Sequence, residues 1–305
     1  MTTGRPLKVG VQLPEVERDV RWPELLDMIR AIEDLGYDSI WLGEHLLYRW
    51  PDRPSRGPWE AWTMLAAVAA VTSSVEFGPL VACTNFHNPA LLAKQASTID
   101  EISNGRFVLG LGAGWNPTDF EAFGLPFDHR VDRFEEAFTI IRTLLHEGAI
   151  DFDGRFYQAR DCELLPRGGR PGGPPLLIGS NGPRMLRITM PYADAWNTWF
   201  SDLDNRPDGV ARLRDVVDDA CRDVGREPAE VARTAAVLVQ LPGGTGRLQG
   251  SDDAPRPIEG DTSAMAEVLR AFAREGISHV QLVLDPITLD SIRAFAPVLA
   301  DLDRG

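Results

Sequence analysis

One histidine directly follows a predicted buried strand and could carry acid–base chemistry. The apolar run from Ser39 to Gly43 has the pattern of a short strand, and Glu44 and His45 come immediately after it. An imidazole changes its charge near neutral pH, so His45 can donate or accept a proton or a hydrogen bond. From position alone, a catalytic group and an ordered loop histidine are equally favoured.

Two glycine-rich segments also follow predicted strands. The first, Gly110–Asn116, contains glycines that allow a flat ring or a backbone to approach closely. The second, Gly179–Gly182, precedes Pro183 at a predicted helix start, where backbone amides can bind a phosphate. The alternative is a tight loop with a good helix cap, and the position of the segment between a strand and a helix favours the phosphate site only modestly over it.

The residue pattern disfavours several other chemistries. The two lysines, Lys8 and Lys94, do not stand at the end of a predicted strand, where a Schiff base would need one. No two of the five histidines have HxH or HExxH spacing, and no GxSxG motif occurs. We therefore expect no metal site and no serine or lysine nucleophile.

Charge and cysteine content limit the partners and the compartment. The 305 residues carry a formal net charge of −14, which disfavours nucleic-acid binding. Cys83, Cys162 and Cys221 lack CxxC spacing, which is typical of a reducing compartment. No signal-peptide pattern opens the chain, and the longest apolar run, Leu65–Val71, is too short to span a bilayer. We expect a cytoplasmic protein that binds neither membrane nor nucleic acid.

Eight strand-like runs, each followed by a helical pattern, alternate along the chain. Several are continuously apolar, as in parallel strands buried on both faces. Eight such units predict an α/β fold, a (β/α)8 TIM barrel formed by one domain over residues 1–305. An open doubly wound sheet is the alternative. The predicted strands are Val9–Leu13, Ser39–Gly43, Val75–Cys83, Arg106–Leu111, Pro175–Ile178, Ala193–Thr198, Arg233–Leu241 and His279–Leu284.

Long connections predict insertions after strands 2, 4 and 7 of this barrel. They are residues 44–57, 115–128 and 242–261. Loops that follow barrel strands lie at the face where active sites form, so we expect these segments to select the substrate. A further long segment, 148–174, contains a hairpin-like piece, Ile150–Tyr157.

Four stretches carry a resemblance to a known family. They are Asp38–His45, Leu91–Trp115, Ile178–Gly182 and Ala193–Asn197. With these stretches the sequence resembles, over nearly its whole length, the bacterial luciferase-like flavin and deazaflavin oxidoreductases. The resemblance implies a (β/α)8 barrel that binds a flavin-shaped ligand at the carboxyl ends of its strands.

The resemblance also implies roles near the ligand ring. Members of the family often carry a non-prolyl cis peptide beneath the ring, and the matching bond is Pro79–Leu80. Gly112 and Ala113 match the loop that passes near the ring and the ribityl chain.

Further matches concern the phosphate and the acid–base group. Gly179, Ser180, Asn181 and Gly182 match the phosphate site. His45 matches the active-site histidine of the deazaflavin branch, and Glu44 matches an acidic residue near the ring. Both are therefore expected to be catalytic.

The predicted substrate pocket contains tryptophan. Trp115 stands where the sugar-phosphate dehydrogenases of the family carry a catalytic glutamate, which makes a sugar-phosphate substrate unexpected. An apolar or aromatic pocket wall suits Trp115 better, and Trp196 near the end of strand 6 is predicted to line the same pocket.

The resemblance leaves the cofactor open between two ring systems. We expect an oxidoreductase that transfers a hydride between coenzyme F420 and a small organic substrate. The alternatives are an FMN-dependent monooxygenase supplied by a separate reductase, and a non-catalytic cofactor-binding barrel. Family members are often dimers, so a homodimer is expected.

Overall fold

The computed structural model describes residues 4–51, 53–244 and 255–304. The described residues form two compact units, one from residues 4–41, 179–244 and 255–304 and the other from residues 42–51 and 53–178. We refer to them as the first and the second unit. The prediction of one domain over residues 1–305 stays a prediction.

Strands and helices alternate through most of the described chain. The strands are β1 (Lys8–Gln12), β2 (Ser39–Leu42), β3 (Glu76–Pro79), β4 (Ala82–Cys83), β5 (Leu109–Gly112), β6 (Ala149–Asp153), β7 (Gln158–Glu163), β8 (Leu176–Ile178), β9 (Ala195–Thr198), β10 (Ala232–Gln240) and β11 (His279–Asp285). The helices are α1 (Trp22–Asp34), α2 (Ala61–Val71), α3 (Pro89–Ile102), α4 (Pro117–Phe123), α5 (Arg130–Glu147), α6 (Pro183–Thr189), α7 (Val210–Asp223), α8 (Thr262–Arg274) and α9 (Leu289–Leu302).

The first unit contains a run of parallel strands in the order β2, β1, β11, β10, β9. Every residue of β11 is buried, as is typical of a parallel strand covered on both faces. The amphipathic helices α8 and α9 bury apolar faces that include Leu269, Phe272, Ile292 and Phe295. Burial of these side chains is the main stabilising contribution to such a unit.

In the second unit, β4, β5 and β8 are parallel neighbours. Its helices begin where sequence signals place them. The side chain of Asn88 accepts hydrogen bonds from two backbone amides at the start of α3, and Pro89 occupies the first helical position. The Glu60 carboxylate caps α2 in the same way. The antiparallel strands β6 and β7 confirm the predicted hairpin.

The predicted third strand is interrupted. Instead of one strand over Val75–Cys83, the chain forms β3 and β4, and the non-prolyl cis peptide joins Leu80 to Val81. The prediction of Pro79–Leu80 was therefore wrong by one residue. The Leu80 amide donates to the Leu42 carbonyl oxygen at 2.7 Å, one residue after β3 ends.

The predicted loop 115–128 contains a helix. Asn116 accepts a hydrogen bond from the Thr118 amide, Pro117 opens α4, and Gly124 ends it with φ of 69°. These are the usual start and stop signals of a helix, compressed into two turns. Part of the predicted insertion 242–261, residues 245–254, lies outside the described residues.

Candidate active site

A histidine and a buried carboxylate form the centre of the candidate site in the second unit. His45 follows β2, and its Nδ1 lies 2.7 Å from Oδ2 of Asp119, in the first turn of α4. Asp119 is 1% exposed, whereas the His45 side chain keeps 15% of its surface exposed. The pair therefore has a buried carboxylate end and an imidazole end that remains accessible.

Asp119 is held in its ionised form by several donors. Its Oδ1 accepts the backbone amides of Leu46 at 2.9 Å and Leu47 at 2.8 Å, and its Oδ2 also accepts Asn116 Nδ2 at 3.0 Å. Burial alone would raise the pKa of Asp119, but the hydrogen bonds from His45 and the two amides lower it overall. An ionised carboxylate can only accept hydrogen bonds, so His45 Nδ1 carries a proton and donates a hydrogen bond to Asp119.

This arrangement leaves the other ring nitrogen of His45 for chemistry. Among the residues the structure describes, Asp119 is the one hydrogen-bond partner of the imidazole. A histidine whose Nδ1 is fixed by a carboxylate has a defined tautomer and orientation, with Nε2 able to accept or return a proton.

Two aromatic rings lie against His45. The Tyr48 ring is centred 4.7 Å from the imidazole, and the Trp115 ring is centred 5.4 Å away in an edge-on arrangement. Trp115 nevertheless remains 65% exposed. Gly114 has φ of 75°, and a side-chain carbon there would lie 2.4 Å from Cys83 Sγ, so the loop requires glycine before Trp115.

Glu44 occupies a different environment from its neighbour. One carboxylate oxygen accepts Trp62 Nε1 at 2.9 Å and lies 2.8 Å from His87 Nε2, and the other accepts the Cys83 amide at 2.7 Å. Burial lowers the pKa of His87, but the hydrogen bond and charge of Glu44, with the charge of Glu60, raise it overall. Glu44 therefore fixes the end of β4 and favours the protonated form of the neighbouring His87.

Two side chains that follow β4 fix the loop that is predicted to contact the ligand ring. Thr84 Oγ1 donates to the Gly112 carbonyl at 3.3 Å, and Asn85 Nδ2 donates to the Ala113 carbonyl at 2.8 Å. Position 110 requires glycine for a steric reason, because a side-chain carbon there would lie 2.2 Å from the Pro79 carbonyl oxygen. These contacts link the turn after β5 to the segment that contains β3 and β4.

The predicted phosphate loop belongs to the first unit. Gly182 supplies no side chain to cap α6, and Ser180 Oγ lies 3.4 Å from the Gly182 amide. Asn181 Nδ2 donates to Asp202 at 2.9 Å. Among the described residues other than its chain neighbours, a side-chain carbon on Gly182 would meet Ser180 Oγ alone, at 3.9 Å, so this side of the glycine faces open space there. The backbone amides of this turn suit an anionic group.

Trp196 does not match its prediction. It is 1% exposed, and its Nε1 donates to the Ser180 carbonyl at 3.0 Å. The structure therefore places Trp196 in the core, where it supports the 179–182 loop, and not on a pocket wall. A pattern of residues near a strand end does not reveal to which face of the strand an indole turns.

The second unit thus brings together most of the predicted site residues, namely Glu44, His45, Pro79, Leu80, Gly112, Ala113 and Trp115. Gly179–Gly182 and Trp196 belong to the first unit. Two residues were missed, Asp119 and His87. The Asn116-Pro117 dipeptide, a helix start placing Asp119 in the first turn, was the available signal for the first.

Metal-binding clusters and membrane-spanning helices are both absent from the described part of the chain. None of its groups of histidine, cysteine and acidic residues could hold a metal ion. None of its helices is long and apolar enough to cross a membrane.

The chain is similar to proteins of a known family. The luciferase-like monooxygenase family model matches residues 7–244. The 5,10-methylenetetrahydromethanopterin reductase of Archaeoglobus fulgidus is 34% identical over 188 residues, which are 62% of this chain and 52%, about half, of that reductase. The F420-dependent hydroxymycolic acid dehydrogenase of Mycobacterium tuberculosis is 26% identical over 305 residues, covering 93% of this chain and 82% of the dehydrogenase.

A solved structure shows the fold. An F420-dependent secondary alcohol dehydrogenase, in complex with an F420–acetone adduct, matches with a TM-score of 0.81 and 18% identity, covering 97% of this chain and 99% of that one. The predicted (β/α)8 barrel class is confirmed by this likeness together with the family match. The positions of the predicted insertions stay predictions.

Proposed function

Because this chain belongs to the luciferase-like monooxygenase family, we propose that it is an oxidoreductase that exchanges a hydride between coenzyme F420 and a small organic alcohol or carbonyl compound. The relative that matches 93% of the chain is named as an F420-dependent dehydrogenase, which supports this choice of coenzyme. Coenzyme F420, when bound, supplies hydride chemistry and is not used for oxygen activation.

The observation that carries the proposal is the His45–Asp119 pair, 2.7 Å long. Transfer of a hydride to or from a carbon that bears oxygen must be accompanied by transfer of a proton at that oxygen. His45 Nε2 accepts the hydroxyl proton when an alcohol is oxidised and returns it when the carbonyl is reduced. Asp119 stays ionised, keeps the ring in one tautomer and stabilises the imidazolium form.

Glu44 has a positioning role in this proposal. Its two oxygens are engaged by Trp62, His87 and the Cys83 amide, so its lone pairs serve the protein and not a substrate. It holds the backbone of β4, which follows the Leu80–Val81 bond at the predicted ring site. The expected catalytic role of Glu44 is therefore replaced by an indirect one.

The residues of the first unit fit the anionic part of the coenzyme. Backbone amides at an uncapped helix start, the hydroxyl of Ser180 and the open face of Gly182 form a donor set suited to a phosphate. Asp202 orients Asn181 by accepting from its amide group. Gly179, Ser180, Asn181 and Gly182 would therefore hold the phosphate.

The family also contains monooxygenases, so FMN is the alternative coenzyme. Titration of the full chain with each compound, followed by fluorescence quenching, separates the two functions. We expect tighter binding of coenzyme F420 and its reduction by an alcohol without oxygen uptake. Tighter binding of FMN, with oxygen consumed when reduced FMN is supplied, would support the monooxygenase and contradict the proposal.

The homodimer and a separate reductase stay predictions. Gel filtration with light scattering tests the first. Dependence of turnover on an added flavin reductase tests the second, and would accompany the FMN alternative.

A further inference from the structure

We propose that Trp115 and Tyr48 form an aromatic wall that selects substrates with a neutral, planar aromatic or conjugated group beside the reacting carbon. This inference rests on the proposed function for the role of His45. It goes beyond that function in naming the substrate class and in assigning Tyr48, which the sequence did not single out, as a specificity determinant.

The wall lies against the group that moves the proton. The Tyr48 ring is 4.7 Å from the His45 ring and tilted by 51°, and the Trp115 ring is 5.4 Å away at 74°. A substrate whose oxygen reaches His45 Nε2 therefore brings its neighbouring substituent against one or both of these rings.

The two loops that carry the rings are joined to each other by hydrogen bonds. Asn116 Nδ2, one residue after Trp115, donates to the Leu47 carbonyl at 3.2 Å, one residue before Tyr48. Asp119 accepts the Leu47 amide, and so joins the same two loops. These bonds limit the movement of one loop against the other, which lowers the part of the ordering cost of binding that comes from the backbone.

Tyr48 is supported from its far side. Its backbone amide and carbonyl pair with those of Arg56 at 2.7 and 3.1 Å. The Trp50 ring stacks on the Tyr48 ring at 5.7 Å with an interplanar angle of 10°, and the Arg53 guanidinium lies 4.0 Å above Trp50. This stacked series limits rotation of the Tyr48 ring.

The exposure of Trp115 points to a ligand that is apolar there. The Trp115 indole keeps 65% of its surface in water beside a proton-transferring histidine. Covering it with an apolar surface would release this area from water, which is favourable in free energy. Aromatic rings prefer the edge and face contacts that such a wall offers over aliphatic contacts of equal area. The ionised Asp119 behind His45 disfavours a negatively charged substituent at the same place.

The test compares two alcohols of similar size, 1-phenylethanol and 1-cyclohexylethanol. Calorimetry with the full chain, with and without coenzyme F420, gives the dissociation constant of each, so the result does not depend on turnover. The variants are Trp115→Leu and Tyr48→Leu, with Tyr48→Phe as the matched control that keeps the ring. Reduction of coenzyme F420 by each alcohol is recorded separately.

We expect the wild type to bind the phenyl compound about 3- to 10-fold more tightly, the range that one or two aromatic contacts provide. The ratio should approach one in Trp115→Leu and Tyr48→Leu and be retained in Tyr48→Phe. Equal affinities in the wild type, no binding of either alcohol, or a ratio unchanged in both leucine variants would each overturn the inference. A preference that behaves as expected without reduction of the coenzyme would support the wall and count against the proposed function.

Discussion

The consecutive residues Glu44 and His45 each belong to a carboxylate–imidazole pair, but Glu44 supplies the carboxylate of its pair and His45 supplies the imidazole of the other. In one pair the buried carboxylate comes from Asp119 and the strand end supplies an accessible imidazole. In the other the strand end supplies the carboxylate, which is engaged by His87, Trp62 and the Cys83 amide. The same two group types thus form, in one place, the pair that we propose as the proton carrier and, in the other, a carboxylate whose two oxygens are both bound by the protein.

The comparison indicates that the role of a polar residue depends on how many of its polar atoms are already hydrogen-bonded to the protein. Both carboxylate oxygens of Glu44 are hydrogen-bonded to the protein, so removal of this side chain should lower the free energy of unfolding. In the proposed function Nε2 of His45 serves the substrate, so removal of His45 should lower the rate of turnover. Substitutions of the two pairs can break or sharpen this contrast.

The largest expected effect is on turnover, in His45→Gln. Loss of a general acid–base group should lower kcat about 10²- to 10⁴-fold, while the dissociation constant of coenzyme F420 stays nearly unchanged. Steady-state kinetics and coenzyme titration measure the two. His87→Gln is the matched control and should leave most of kcat. An equal loss of kcat in both variants would erase the contrast.

Glu44→Ala should act on folding. It leaves His87 and the Cys83 amide without their partner in a buried setting, and breaking such a pair costs about 3 kcal/mol of unfolding free energy. Chemical denaturation measures this. Glu60→Ala, which removes the cap of α2, is the control and should cost about 1 kcal/mol. A Glu44 variant as stable as the wild type would show that the carboxylate is not a support.

Gly182→Ala tests the phosphate loop, and its expected effect is smaller than that of the substitutions above. Its φ of −71° is accessible to alanine, so the fold should be unaffected, and the added methyl group would face the space assigned to the phosphate. We expect coenzyme F420 to bind about tenfold more weakly, as when one methyl group overfills a site. Unchanged binding at an unchanged melting temperature would remove the phosphate from this loop.

The smallest expected effect is a pH dependence of the Glu44–His87 pair. Because the folded-state pKa of His87 is raised, its contribution to stability is complete below the unfolded pKa of about 6.5 and is lost as pH rises through the folded value. The stability difference between the wild type and His87→Gln should therefore be greater at about pH 6 than at about pH 9. A difference that increases with pH would reverse the assigned charge of the pair.

The strand ends could be predicted from the sequence, and the partners across loops could not. His45 was found because an apolar run ends two residues before it. Asp119 was missed because its contact with His45 depends on α4, a helix of two turns in a segment interpreted as loop. The pairing joins residues 74 positions apart, and no local pattern encodes such a distance.

Two further positions show the same limit on a finer scale. The cis bond lies at Leu80–Val81 and not at Pro79–Leu80, and no local pattern of the sequence distinguishes the two bonds. Trp196 is buried against Ser180, although its place near a strand end suited a pocket wall equally well. Periodicity defines the elements, whereas packing decides which side of an element faces a ligand.

The most direct test of the hydride proposal follows a label. An alcohol substrate deuterated at the reacting carbon is mixed with the full chain and oxidised coenzyme F420 under exclusion of oxygen. The account predicts that deuterium appears in the reduced coenzyme, that the reaction is slowed by the label, and that His45→Gln transfers it far more slowly. Deuterium released only to water, or a reaction that requires oxygen and FMN, would contradict it.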